Sequence, residues 1–111
     1  PRIRLAGWAI GGPRRPGDPD PAVRAALAMA DVSARDIDLA IGPPVPALEI
    51  ARWRSPAALV GDAGAATPAL ALAAGVWLLR RGDAQRALVI AEPNESATCA
   101  VVIAREEGVS A

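Results

Sequence analysis

Apolar positions along the chain switch repeatedly between a spacing of about two and a spacing of about 3.6, the periods of a strand and of a helix. In residues 2–10, RIRLAGWAI, Ile3, Leu5 and Gly7 alternate with Arg2, Arg4 and Ala6, which predicts a strand with one more polar face. A turn-rich segment, GGPRRPGDPDP, follows, and residues 11–19 are the one linker-like piece. Asp20 before Pro21 reads as a helix start, a capping oxygen followed by a residue whose fixed φ suits the first helical position. Across PAVRAALAMAD, Val23, Leu27 and Ala30 form one stripe, with Arg24 and Asp31 outside it. Ser33-x-x-Asp36 has the spacing of a cap, and Leu39 to Ile41 predicts a short strand stopped by Gly42-Pro43-Pro44. PALEIARWR allows a short helix carrying Leu48, Ile50 and Trp53, and AALVG reads as a buried strand.

The next stretch, GDAGAATPALALAAGVWLLRRGD, breaks the amphipathic pattern. From Ala63 to Leu79 it carries no charge and is apolar almost throughout, so the long helix it predicts has no polar face. Arg80 and Arg81 suit the negative end of a helix dipole, and Gly82 suits the left-handed position beyond it. These seventeen residues reach only the lower edge of membrane-spanning length, and their many Ala and Gly contribute little to insertion. The flanking α/β pattern therefore favours a helix buried in a soluble domain. RALVIAE and ATCAVVIARE predict two last strands, joined by EPNES as a hairpin. The order β-α-β-α-β-α-β-β predicts a single α/β domain over residues 1–111, with a five-stranded mixed sheet whose last strand is antiparallel.

Composition narrows the chemistry. The chain has 111 residues, enough for one core; 52% are hydrophobic but only 3% aromatic, so that core is built from Ala, Val, Leu and Ile. Twelve basic residues, all Arg, balance twelve acidic ones, which gives no electrostatic reason to expect nucleic acid or a membrane surface as partner. With no His, one Cys and no tight acidic cluster, no metal-ligand spacing is present, and no Gly-rich phosphate loop appears. The sequence thus implies no cofactor. A lone Cys99 precludes an internal disulfide and fits a reducing compartment, and the N-terminus lacks the apolar run of a secretory signal, so the cytoplasm is the expected location.

Three segments carry a resemblance. AVRAALAMADVSARDIDLAIG is similar to the helix, turn and strand preceding the first active-site histidine of the β-ketoacyl synthases. LVGDAGAATPALALAAGVWLLRRGD resembles their G-H-T-x-G-A-A-G turn and long helix. ATCAVVIAR is similar to their closing strand. With the element order, they make the chain resemble the C-terminal half of a thiolase-fold ketosynthase or chain-length-factor relative. The resemblance implies that the family's two histidines fall at Pro43 and at Asp62, after Gly61, and that its lysine falls near Ala57. The chain contains neither His nor Lys, so the groups that would stabilise the enolate are missing, and the nucleophilic cysteine belongs to a half that this sequence does not include. Cys99 is not its equivalent and reads as a small buried hydrophobe.

Other candidates have plain readings beside the chemical ones. Asp62 could stand in as a general base or cap the helix that follows; Glu92 and Glu95 flank a loop tip; Arg14 and Arg15 could meet a phosphopantetheine phosphate or be solvated. In the resembled fold two five-stranded halves stack with the long helices between the sheets. That implies an interface at Ala65, Ala69, Leu72, Ala73, Val76, Trp77 and Leu79. The function expected is a catalytically inactive ketosynthase-like subunit of fatty-acid or polyketide synthesis. Its partner would be a thiolase-like or ketosynthase chain or a second copy, with acyl carrier protein as a further candidate. Two alternatives stay open: half of a split synthase whose partner supplies Cys and His, and a homodimeric module binding acyl groups or carrier protein.

Overall fold

A computed structural model of the chain describes residues 2–12, 21–43, 48–50, 52–55, 67–94 and 97–106; for 67, 68 and 92–94 only the backbone is described. The strands are β1 (Arg2–Gly11), β2 (Leu39–Ile41), β3 (Trp53–Arg54), β4 (Arg86–Asn94) and β5 (Ala97–Glu106). The helices are α1 (Pro21–Ala30) and α2 (Thr67–Arg80), with a 3-10 turn at Ala34–Asp36. Strict alternation in the central strands splits the core into two layers. Leu88 and Ile90 of β4, Ala100 and Val102 of β5 and Ala40 of β2 face α1, and they bury Ala22, Val23, Ala26 and Leu27. Their neighbours Ala87, Val89, Ile103, Leu39 and Ile41 face α2 and bury Ala71 and Leu79. A period of two in the strands thus supplies both faces of one sheet with apolar residues, as a sheet covered on both sides requires.

The sheet order is β1-β5-β4-β2-β3. β2 runs parallel to β3 and β4, whereas β5 is antiparallel to both β4 and β1, so the expected mixed sheet with an antiparallel last strand is what forms. β4 and β5 pair from Arg86↔Ala104 to Asn94↔Ala97, the hairpin the sequence predicts.

Two sequence expectations are corrected. PALEIARWR does not form a helix among its described residues: Trp53–Arg54 is instead a short strand against β2. There Ala40 N–H donates to Arg52 O (2.8 Å) and Gly42 N–H to Arg54 O (3.0 Å). An open edge of β2, and room for Ile50 and Trp53 on the α1 side of the core, outweigh the local helical spacing. The second correction concerns β1, whose pairing with β5 shifts between Leu5 and Gly7. This bulge puts Gly7 on the α1 side and breaks the single alternation expected for Ile3, Leu5 and Gly7. The buried strand expected in AALVG and the cap at Asp20 lie outside the described residues.

Small residues set the layer spacing. A Cβ on Gly7 would lie 2.3 Å from Ala26 O and 2.9 Å from Ala30 N, and one on Gly11 would lie 3.2 Å from the Ala22 Cβ. Ala22, Ala26 and Ala30 recur every four residues, so α1 presents a flat ridge against the glycine positions of β1. Both helices stop with a left-handed residue. At α2 it is Gly82 (φ 85°), with Gly82 N–H donating to Leu79 O and Asp83 N–H to Leu78 O, both 3.0 Å. At α1 the same motif uses Asp31 (φ 56°), with Val32 N–H donating to Leu27 O at 3.1 Å. Beyond it, Ser33 N–H (2.9 Å) and Ser33 Oγ (3.2 Å) donate to Asp36 Oδ2, and the backbone bond above all lowers the Asp36 pKa.

Replacing Gly7 with Ala drives a methyl group into helix backbone rather than a movable side chain. The expected cost is about 1–3 kcal/mol, read as a lower urea midpoint with the slope unchanged. Asp31→Gly relieves the left-handed strain and raises stability by about 0.5–1 kcal/mol; a loss of stability in the same melt would show that the Asp31 side chain compensates for that strain.

Candidate functional site

α2 is the helix with no polar face, and its own sheet covers only one side of it. Ala71, Gly75 and Leu79 recur every four residues and are buried. A Cβ on Gly75 would meet Ile103 Cδ1 at 3.3 Å and Ile41 Cδ1 at 3.4 Å, so the helix lies close on the sheet. Leu72 and Val76 are half-buried at the flanks. On the far side Ala69, Leu70, Ala73 and Trp77 are exposed, with Trp77 at 56% and the Arg81 guanidinium 4.4 Å from its ring centroid. A stacked guanidinium covers an aromatic face only in part and holds its charge at the rim.

β1 extends this apolar side. Directly opposed residues of an antiparallel pair point to the same face. Leu5 opposes Ile103, Trp8 opposes Val101 and Ile10 opposes Cys99, and both Ile103 and Val101 belong to the α2-side core. Leu5, Trp8 and Ile10 therefore stand on the α2 side, and they are 57%, 51% and 68% exposed. The bulge places them there: it sends Gly7 toward α1 and leaves Trp8 and Ile10 on the opposite face. Two half-exposed Trp side chains alone leave on the order of 200 Å² of ring surface in water.

This geometry revises the expected interface. Ala69, Ala73 and Trp77 lie on the exposed side, Leu72 and Val76 on its border, and Ala65 outside the described residues. Leu79 is corrected: it is fully buried against the protein's own sheet. Leu70, Leu5, Trp8 and Ile10 were not foreseen. A continuous apolar helix gives no sign of which face the sheet takes, and a bulge leaves no mark in an alternating strand.

Pro43, where the resemblance sets one family histidine, lies toward another end. Pro43 follows β2, where Gly42 (φ 146°) lets the chain pass β4; a Cβ there would sit 2.6 Å from Ile90 O. β2 and β4 are parallel, so Pro43, the start of α2 and the end of β4 share the carboxyl end of the sheet, the usual location of α/β ligand sites. Cys99, opposite Ile10 and Ala91, is half-buried, where the sequence reading expects a small buried hydrophobe. Asp62, Arg14, Arg15, Glu95 and the Glu92 side chain lie outside the described residues. Among the described residues no group of His, Cys, Asp or Glu could hold a metal ion. At the opposite end Asp38 Oδ2 accepts from Gln85 N–H (2.7 Å) and Arg86 N–H (3.2 Å), and Arg52 Nη2 donates to Asp83 O (2.6 Å). The open cleft of about 490 Å³ beside them is lined by Asp38 and Arg52, both bonded to backbone, and by Arg35 and Glu49 among others.

Solved structures share this arrangement. The 3-oxoacyl-[acyl-carrier-protein] synthase III from Aquifex aeolicus VF5 superposes with a TM-score of 0.68 at 15% identity, over 96% of this chain and 55% of that one. Human mitochondrial 3-ketoacyl-CoA thiolase superposes with a TM-score of 0.66 at 21% identity, over 95% of this chain and 31% of that one. The chain has a thiolase-like fold. It spans about half the length of the first of these proteins and under a third of the second. No family model matches the sequence, and no curated protein does. No helix among the described residues of this thiolase-like unit is long and apolar enough to cross a membrane.

Truncation separates the two sides of α2. Leu79→Ala, in the core, is expected to cost about 2–5 kcal/mol in a denaturant melt. Leu70→Ala, on the exposed side, should stay within about 0.5 kcal/mol when the chain is dilute enough to be monomeric. Equal costs would mean that the helix is rotated from the orientation described.

Proposed function

We propose that this thiolase-like unit is a catalytically inactive, ketosynthase-like subunit of a fatty-acid or polyketide system, and that it acts by packing its α2 side against a second thiolase-like half. The exposed apolar side made by Leu70, Trp77, Leu5, Trp8 and Ile10 carries the reading. Exposed apolar side chains of this size, on a helix with no charged residue from Ala69 to Leu79, mark an interaction site. A second layer seated there would also supply the partner that the all-round apolar helix lacks. The biosynthetic setting rests on the likeness to a 3-oxoacyl-[acyl-carrier-protein] synthase and a 3-ketoacyl-CoA thiolase.

Inactivity follows from the chemistry of condensation. Decarboxylation of a malonyl thioester develops negative charge on the thioester oxygen, and donors aimed at that oxygen supply much of the rate. The sequence has no His and no Lys, and Pro43, at one matched position, has no N–H to donate. Cys99 lacks a histidine to deprotonate it anywhere in the 111 residues.

The test combines mass with activity. The native chain is expected in a complex heavier than 11.3 kDa whose other component has a thiolase-like fold, with no decarboxylation of malonyl thioesters by the chain alone. Trp77→Glu is expected to weaken the complex by about 2 kcal/mol or more. A monomer that binds no thiolase-fold protein, or turnover above the buffer rate, would overturn the reading.

A further inference from the structure

We propose that the second half is another copy of this chain, related by a two-fold axis that passes near Ala73 and crosses the two α2 helices antiparallel. The inference rests on the reading of the α2 side as an interface and adds the identity and register of the partner.

The first argument is steric. The exposed side of α2 carries Ala69, Leu70 and Ala73 toward the N-terminus and the larger Trp77 toward the C-terminus. Leu70, Ala73 and Trp77 follow the i, i+3, i+7 spacing of a helix–helix seam. An antiparallel mate centred on Ala73 sets each Trp77 opposite an Ala69, each Leu70 opposite a Val76, and Ala73 against its own copy. Every large side chain then meets a small or half-buried one, and the helices approach closely at the axis. A parallel mate would stack Trp77 on Trp77 and leave a gap between facing alanines.

Charge selects the same arrangement. No charged residue lies between Ala69 and Leu79, and Arg80 and Arg81 close the helix. At a rise of about 1.5 Å per residue, antiparallel pairing centred on Ala73 puts the two Arg80 positions roughly 20 Å apart along the axis, well beyond the ~8 Å screening length. Parallel pairing would bring four guanidinium groups together.

Area is the third argument. With Leu5, Trp8 and Ile10 beside α2, five half-exposed large side chains leave on the order of 500 Å² of apolar surface per copy. Two copies covering one another reach the roughly 1,000 Å² that a specific interface needs. A self-complementary patch on one surface is also what a two-fold dimer requires.

A cysteine placed on the axis meets its own copy, and Cys99 is the chain's only other thiol. In a Cys99→Ser background, Ala73→Cys is expected to convert to a disulfide-linked dimer under mild oxidation, whereas Ala28→Cys, exposed on α1, stays monomeric on a denaturing gel. Light scattering on the Cys99→Ser chain should give twice 11.3 kDa, and Ala73→Arg should weaken dimerisation at least tenfold while leaving the circular dichroism spectrum unchanged. A dimer that links through Ala28→Cys and not Ala73→Cys would overturn both the register and the interface. A monomer at micromolar concentration whose Trp8 and Trp77 are freely quenched would overturn self-pairing alone. The interface reading would then stand if an added thiolase-fold protein shields those tryptophans, and fall if it does not.

Discussion

A helix that is apolar all round is stable in water only when something covers it on every side, and the rest of the structure is arranged around that demand. The sheet meets half of it. Ala71, Gly75 and Leu79 turn inward at a spacing of four, and Gly75 lets the helix backbone lie close on Ile103 and Ile41. The other half stays open, with Leu70 and Trp77 in solvent and Leu5, Trp8 and Ile10 flanking them from β1. The two helices differ in this respect. α1 keeps Arg24, Ala25, Ala28 and Met29 outward and buries the opposite stripe, as a helix facing water does. One side of the sheet is thus finished as a water-facing surface, and the other carries a helix whose outer side is exposed and apolar.

Much of this could be read from the residues. The order of strands and helices, the antiparallel last strand and the glycine stop after Arg81 follow from period, turn chemistry and capping, all local properties. What could not be read depends on partners distant in sequence. Leu48, Ile50 and Trp53 have helical spacing, yet Trp53 and Arg54 pair with β2, because a neighbouring strand offers backbone hydrogen bonds that spacing does not reveal. Ile3, Leu5 and Gly7 look like one face until a bulge shifts the register against β5. The same limit applies to the candidate site. The seam on α2 is legible as an uncharged run, but Leu79 and Trp77 are equally apolar, and only the sheet decides that one is core and the other is exposed.

The resemblance in the sequence and the likeness in structure also differ in reach. Superposition over nearly the whole chain at 15–21% identity speaks to the path of the backbone. The chemistry depends on which side chains stand at a few positions; the resemblance sets Pro43 at one of them, in a sequence that has no histidine. A fold can keep its layers while losing its reaction, because layer packing needs only apolar residues of fitting volume, whereas an oxyanion site needs donors at fixed places.

The composition ties these strands together. Alanine fills many of the buried positions beside Leu, Ile and Val, and each such residue gains little hydrophobic free energy, since a methyl group removed from water contributes about 0.8 kcal/mol. Its compensation is close approach, seen where Gly7 admits Ala26 and Gly75 admits Ile103, and close approach requires flat, small-residue faces. A chain of this size buries only about two-thirds of its unfolded surface, and here much of that is methyl groups. Two of the three Trp side chains, Trp8 and Trp77, are held back from the core and placed on the α2 side, while Trp53 packs on the α1 side. In the proposed assembly that placement makes association and folding stability draw on the same surface. Mutations there would then be mild in the isolated unit and severe in the complex, the reverse of what core substitutions do.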